Sequence, residues 1–289
     1  MHTVKSVQNY FSLVKISHTI FSMPFAIIGY SLGIKATGSV VALPLLVKII
    51  LAVLFARNAA MSFNRYTDYK FDALNPRTSG REIPQKIISP ASALAFVIAN
   101  CILFILTTFF INKLCLFLSP VALAVILAYS YTKRFTSLAH LVLGLSLSLA
   151  PIGAYLAVTG TFSLLPVLFS VSVFFWVSGF DIIYALQDEE FDKSQNLKSI
   201  PAYFGKKWSL VISSFFHLIS VAFLVIAGIS GDFGLLYWIG ILFYSALMVY
   251  QHLLVKPNDL SRVNMAFATM NGIAGLVFAV FVVADIFFK

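Results

Sequence analysis

Two short stretches hold most of the side chains in this chain that could do chemistry. The first, "NRYTDYKFDALNPRTSGREIP" (64–84), sets Asn64, Asp68 and Asp72 at four-residue intervals and follows them with Arg77 and Arg81. The second, "DIIYALQDEEFDKSQNLKSIP" (181–201), sets Asp181, Asp188 and Asp192 ahead of Lys193 and Lys198. Both contain Asp-x-x-Phe-Asp and both run on to an Ile-Pro, at Ile83-Pro84 and Ile200-Pro201. Carboxylates this dense repel one another unless a cation joins them. Hard oxygen donors favour Mg²⁺, which takes one or two carboxylates and leaves its other positions to phosphate oxygens and water. The neighbouring Lys and Arg would complete a cradle for the anion. The chemistry implied is capture of a diphosphate through bridging metal ions. Salt bridges at helix ends would explain any one of these acids, but they explain poorly two matching sets, each trailed by cations.

Helical elements would position both sets alike. At 100° per residue, offsets of 7 and 11 return to nearly one face. Arg57, Asn64 and Asp68 stand at those offsets, and so do Asp181, Asp188 and Asp192. Asp72 falls about 40° farther round. Each helix is therefore expected to carry one polar stripe that starts within apolar sequence. A charge inside a membrane costs roughly 2.5–3.5 kcal/mol even on the lenient insertion scale. Arg57 and Asp181 thus become candidate site residues.

The rest of the chain is membrane-like. Of 289 residues 60% are hydrophobic and 11% charged, against about 25% charge in soluble domains, and mean hydropathy is +0.93. Apolar runs near 17–34, 40–63, 89–111, 115–132, 138–158, 164–185, 208–229, 233–254 and 264–287 are long enough to cross a bilayer. The expectation is an all-α bundle of nine transmembrane helices forming a single domain over 1–289, with no cleavable signal peptide. The two acidic stretches lie four spans apart and emerge on one side, which predicts two pseudo-repeats around a central cavity.

The net charge of +9 is accounted for by placement rather than by nucleic acid. With the N-terminus inside, all Lys and Arg except Lys35, Lys48, Arg57, Lys113 and Lys289 fall on the inner side. That predicts an N-in, C-out protein of the inner (cytoplasmic) membrane with both acidic loops cytoplasmic. Cys101 and Cys115 fit no metal spacing, and His18, His140, His217 and His252 form no ligand cluster. Most of the 29 Phe are expected to face lipid or pack; Trp176, Phe180 and Tyr184, just before the second acidic set, are candidates to line a tail channel.

These residues resemble the UbiA superfamily of intramembrane prenyltransferases. "NRYTDYKFD" matches that family's Asn-x-x-x-Asp-x-x-x-Asp at Asn64, Asp68 and Asp72, and "DEEFD" its Asp-x-x-x-Asp at Asp188 and Asp192. "YSYTKR" gives its Tyr-x-x-x-Lys at Tyr129 and Lys133, with Arg134 beside it, and "KISHTIFSMPFA" is similar to the opening of 4-hydroxybenzoate polyprenyltransferases. The resemblance covers nearly the whole chain. It implies that Asn64, Asp68, Asp72, Asp188 and Asp192 hold Mg²⁺ against a polyprenyl diphosphate. Lys133, Arg77, Arg81, Arg134 and Lys198 would supply positive charge and Tyr129 a hydrogen bond. Arg57 would meet an acceptor carboxylate, and Asp181 would orient Tyr129 or a basic residue. The prenyl group would pass to a small aromatic acceptor in quinone biosynthesis, by ubiquinone or menaquinone routes. Where many 4-hydroxybenzoate enzymes have Arg-Pro-Leu-Pro, this chain has Arg81-Glu82-Ile83-Pro84, similar to a branch tied to menaquinone made through futalosine. 1,4-Dihydroxy-6-naphthoate, homogentisate, chlorophyllide and haem are therefore alternative acceptors. A secondary transporter would also use repeats and buried charge, but its polar groups belong near mid-membrane. The Asp-x-x-Asp-Gly-x-x-Ala-Arg pattern of alcohol-phosphate transferases is absent.

Overall fold

A computed structural model describes residues 2–15, 19 and 21–289, with side chains from residue 8 onward. His18 and part of the "KISHTIFSMPFA" stretch lie outside the described residues. The helices run α1 (His2–Leu13), α2 (Met23–Thr37), α3 (Leu43–Leu74), α4 (Pro90–Phe109), α5 (Lys113–Thr132), α6 (Ala139–Thr159), α7 (Leu164–Ala185), α8 (Glu189–Ser194), α9 (Ile200–Ser230), α10 (Leu235–Leu254) and α11 (Asn271–Phe288). A 3₁₀ turn, Leu186–Asp188, joins α7 to α8, and a π-helical turn, Met265–Met270, leads into α11.

The expected all-helical membrane bundle is borne out. Among the described residues, eight helical stretches are long and apolar enough to cross a membrane. The ninth expected span is α2, apolar but only 15 residues long, or about 22 Å. Its ends are set locally, by Pro24 in the first turn and by Gly38 at φ 62° as the left-handed cap. The span expected from residue 208 begins instead at Ile200, because Ser199 caps that helix and its Oγ accepts the Ala202 N–H. Gly205, at φ 75° and ψ 169°, breaks the helix between the two pieces.

At the centre of the bundle stands α7. Phe169, Val173, Trp176, Val177 and Phe180 on it are buried against Phe25 of α2, Tyr244 of α10 and Phe278 of α11. Helices in lipid gain little from apolar burial alone, so close backbone approach and buried hydrogen bonds hold them together. Gly144 allows that approach: a Cβ there would sit 2.3 Å from Ser178 Oγ and 2.4 Å from the Phe174 carbonyl oxygen, locking α6 to α7. Ser213 Oγ donates to the Gly179 carbonyl (2.7 Å), and Trp176 Nε1 to Asn271 Oδ1 (2.8 Å), tying α9 and α11 to the same helix.

Two features of this frame position the site. Helix α3 has 32 residues, about 48 Å, and so outruns an apolar layer of about 30 Å. It stops at Asn75, whose extended φ/ψ of −88°/119° is what a following proline, Pro76, demands. The loop 75–88 then folds back on the end of α7. The two Ile-Pro pairs, alike in sequence, do different work. Pro201 opens α9, whereas Pro84 sits in the loop and α4 starts only at Pro90.

Candidate active site

One cavity of about 610 Å³ takes in both acidic sets. Its polar end is lined by Asn64, Asp68 and Asp72 from α3, Tyr129, Lys133 and Arg134 from the end of α5, Asp181, Asp188 and Asp192 from the α7–α8 region, and Arg77 and Arg81 from the loop. Apolar residues line the rest, out to Thr108, Ile111 and Cys115 at the other end of the bundle.

Every acid of the two motifs meets a cation. Arg77 Nε donates to Asp188 Oδ1 at 2.9 Å while its Nη2 pairs with Asp188 Oδ2, and its Nη1 donates to Tyr184 Oη at 2.8 Å. Arg81 Nη1 donates to Asp72 Oδ1 at 2.6 Å. Arg134 Nη2 donates to the Thr67 carbonyl (2.7 Å) and to Asp68 Oδ1 (3.3 Å), and its guanidinium lies over Tyr131 and Phe71. Lys133 Nζ stands 3.9 Å from Asp192 Oδ2. Asn64 Nδ2 donates to Asp68 Oδ2 at 3.0 Å. Burial alone would lower the Lys133 ammonium; Asp192, with Asp181, Asp188 and Asp68, outweighs burial and holds it above the ordinary lysine value.

Several expectations are corrected. The second polar stripe does not lie on one continuous helix, since the Leu186–Asp188 turn winds tighter than 100° per residue. Of the two partners expected for Asp181, Tyr129 or a basic residue, no hydrogen bond reaches Tyr129; its Oδ2 is bound by His140 Nδ1 at 2.6 Å, deep between α6 and α7. Lys198 does not line the cavity. Its Nζ donates to the Phe135 carbonyl (3.2 Å) and its backbone N–H to the Lys133 carbonyl, so it pins the loop after α8 onto the end of α5. Phe180 and Tyr184 line the cavity, but Trp176 packs in the core. Arg57 does line the cavity, with Nη2 donating to the Lys15 carbonyl (2.7 Å) and Nη1 buried without a partner.

Three further residues belong to the site without standing out in the sequence. Asn75 accepts the Arg77 N–H at its Oδ1 (2.9 Å) and donates from Nδ2 to Asp188 Oδ1 (3.0 Å), which ties the first motif's loop to the second motif. The Asn-Pro after a long helix was its one visible signal. His140 and Arg65 are the others.

Among the described residues no three His, Cys, Asp or Glu side chains converge tightly enough to hold one ion. The donor chemistry nonetheless fits a hard cation. Asp72 Oδ2 and Asp192 Oδ2 are buried with no hydrogen-bond partner, a state that calls for a positive charge beyond those present.

Fold and site together define a class, a multi-pass membrane transferase. The chain belongs to the UbiA prenyltransferase family, whose sequence profile matches residues 22–273. It is similar to the 4-hydroxybenzoate octaprenyltransferase of Aliivibrio fischeri, at 30% identity over 233 residues covering 81% of each chain. That of Shewanella woodyi is 32% identical over 239 residues, 82% of this chain and 83% of the relative. Among solved structures, an apo UbiA homologue from Aeropyrum pernix K1 superposes with a TM-score of 0.79 at 30% identity, covering 93% of this chain and 96% of that one. A UbiA homologue from Archaeoglobus fulgidus bound to DMAPP and Mg²⁺ shares the fold, with a TM-score of 0.74 at 21% identity over 96% and 99% of the two chains.

Proposed function

We propose that this protein transfers a polyprenyl group from an allylic polyprenyl diphosphate to a hydroxy-aromatic acid such as 4-hydroxybenzoate, in quinone biosynthesis. The observation that carries the reading is the single cavity, acidic and cationic at one end and apolar along the rest. Such a space suits a molecule with a diphosphate head and an isoprenoid tail. The curated relatives named 4-hydroxybenzoate octaprenyltransferase support the acceptor class, and the homologue bound to DMAPP and Mg²⁺ supports the donor and the metal.

Asn64, Asp68, Asp72, Asp188 and Asp192 would hold Mg²⁺. When bound, that ion supplies positive charge that makes the diphosphate a better leaving group. Lys133 would touch the diphosphate through its ammonium, while Arg77, Arg81 and Arg134 hold the acids beside it. As the C1–O bond breaks, its electron pair leaves with the diphosphate, and cations already fixed in place stabilise the charge that develops there. The electron-rich ring of the acceptor then attacks the allylic carbon and loses its proton. Apolar walls house the tail and keep water from the carbocation. Arg57, with Nη1 unpaired, is suited to the acceptor's carboxylate, and Asp181, braced by His140, to its hydroxyl.

The excess of basic residues in the loops at the acidic end supports a cytoplasmic placement of this site. An impermeant thiol reagent applied to intact cells should leave Ser194→Cys unlabelled; labelling would overturn that orientation. The function itself is tested by offering the purified protein a radiolabelled polyprenyl diphosphate with 4-hydroxybenzoate and 1,4-dihydroxy-6-naphthoate in parallel, and weighing the product. A prenylated aromatic acid is expected, absent in EDTA and restored by Mg²⁺. Transfer at full rate in chelator would contradict the metal assignment. Failure with both acceptors would contradict the acceptor class.

A further inference from the structure

Arg65, on α3 next to Asn64, differs from every other cation of the site. It is only 6% exposed and lines the cavity, yet its Nε is buried with no hydrogen-bond partner. Among the described residues its guanidinium makes no ion pair within 4 Å, whereas Arg77, Arg81, Lys133 and Arg134 each have a carboxylate. Arg57 at least donates to a backbone carbonyl. Arg65 lies within electrostatic range of Arg81, Asp72, Glu82 and Tyr184, and also of Tyr129. Asp72, the carboxylate in range, gives its Oδ1 to Arg81 and makes no hydrogen bond to Arg65 with its free Oδ2.

An uncompensated guanidinium kept out of water is costly, and more so beside a second one. A protein retains such a group where a ligand supplies the missing charge. With Asp72 set against both Arg65 and Arg81, positive charge is left over at this end of the cavity for an anionic ligand to answer. Arg65, Arg81 and Tyr184 line the same space, so the anion would enter where both acidic motifs are exposed.

We propose that Arg65 is a diphosphate-binding residue of this site, its guanidinium donating to the phosphate oxygens in the cavity that Arg81 and Tyr184 also line. The assignment rests on the prenyl diphosphate reading above and adds a contact from a position that the first motif leaves open, between Asn64 and Asp68. It also gives Arg65 a different partner from Arg57, whose open Nη1 is matched to a single carboxylate on the acceptor.

Thermal unfolding of the purified protein in detergent, with and without Mg²⁺ and a thiolo analogue of geranyl diphosphate that cannot ionise, tests this together with steady-state kinetics. Wild type should be stabilised by the analogue. Arg65→Gln should unfold at the same temperature as ligand-free wild type or higher, since a buried unpaired charge has gone. It should lose most of the analogue's stabilisation and show a KM for the prenyl diphosphate raised roughly 10- to 100-fold, with the acceptor KM unchanged. Arg65→Lys should recover part of the loss, because it restores the charge without the planar fork. The proposal is overturned if Arg65→Gln unfolds at lower temperature or fails to fold, which would make the residue structural. A raised KM for the acceptor instead of the diphosphate also overturns it. If wild type itself gains nothing from the analogue, the diphosphate reading of the cavity fails first and the Arg65 assignment falls with it.

Discussion

At the scale of single residues, Asp68, Asp72, Asp188 and Asp192 each pair with a cation, Asp68 half-buried and the other three buried. Lys133 is the cation with the most neighbours of opposite charge, and the sign of its perturbation follows. Burial works against the ammonium, but Asp192, Asp181, Asp188 and Asp68 keep it protonated beyond the ordinary lysine value. A group raised in this way keeps its proton wherever an ordinary lysine does, and beyond. Activity should therefore show no alkaline limb from Lys133 through neutral and mildly alkaline pH. A fall in kcat/KM near neutral pH that vanishes in Lys133→Arg would contradict this. Lys133→Ala should both raise KM and lower kcat, by about 10²–10³ in kcat/KM. The acids were legible because charge in an apolar chain stands out and because their spacing repeats, and Lys133 through the Tyr-x-x-x-Lys that resembles the family's. Asn75 was not, since its bond to Asp188 joins residues 113 positions apart and reads locally as a helix end. Lys198 was over-read for the converse reason: its charge is plain in the sequence, while the carbonyl that captures it is not.

Helices carry those residues into register. Helix α3 follows the 3.6-residue period through Asp72, and its stripe of Arg57, Asn64 and Asp68 faces the cavity as expected. Helix α7 does not, because the Leu186–Asp188 turn resets the angle before Asp192. Periodicity alone cannot foresee such a turn, since the residues across it keep the same spacing in the chain. Crossing distances between helices were equally invisible, and Gly144 sets one of them. Gly144→Val should force α6 from α7 and cost about 1–3 kcal/mol, read as a lower unfolding temperature in detergent. Gly80→Ala is the control, with nothing within 4 Å of the added carbon. Equal stability in both variants would mean that the α6–α7 contact does not hold the bundle.

At the scale of the molecule, the bundle encloses a single long space. Along α5 it runs from Lys133 to Cys115, 18 residues or about 27 Å. The all-helical membrane architecture was legible from hydropathy, as was the meeting of the two motifs. The shape of the cavity between them was not, because it depends on which small residues leave room. Gly153 is one: it lines the cavity, and a Cβ added there would have nothing within 4 Å. Gly153→Phe should fill the apolar part and shorten the longest prenyl diphosphate used, while leaving geranyl diphosphate a substrate. An unchanged chain-length profile would mean that the tail lies elsewhere.

The central claim is that the two acidic motifs form one site. Prenyl transfer by Asp68→Asn, by Asp188→Asn and by the double variant, measured side by side on purified protein, tests it most directly. Amides keep the size of the acids and remove their charge, so each single change should lower kcat severely. The double change should be little worse than either, because groups acting as a unit are strongly non-additive. If either single variant keeps near wild-type transfer, or if the two losses simply multiply, the motifs act separately and the claim is wrong.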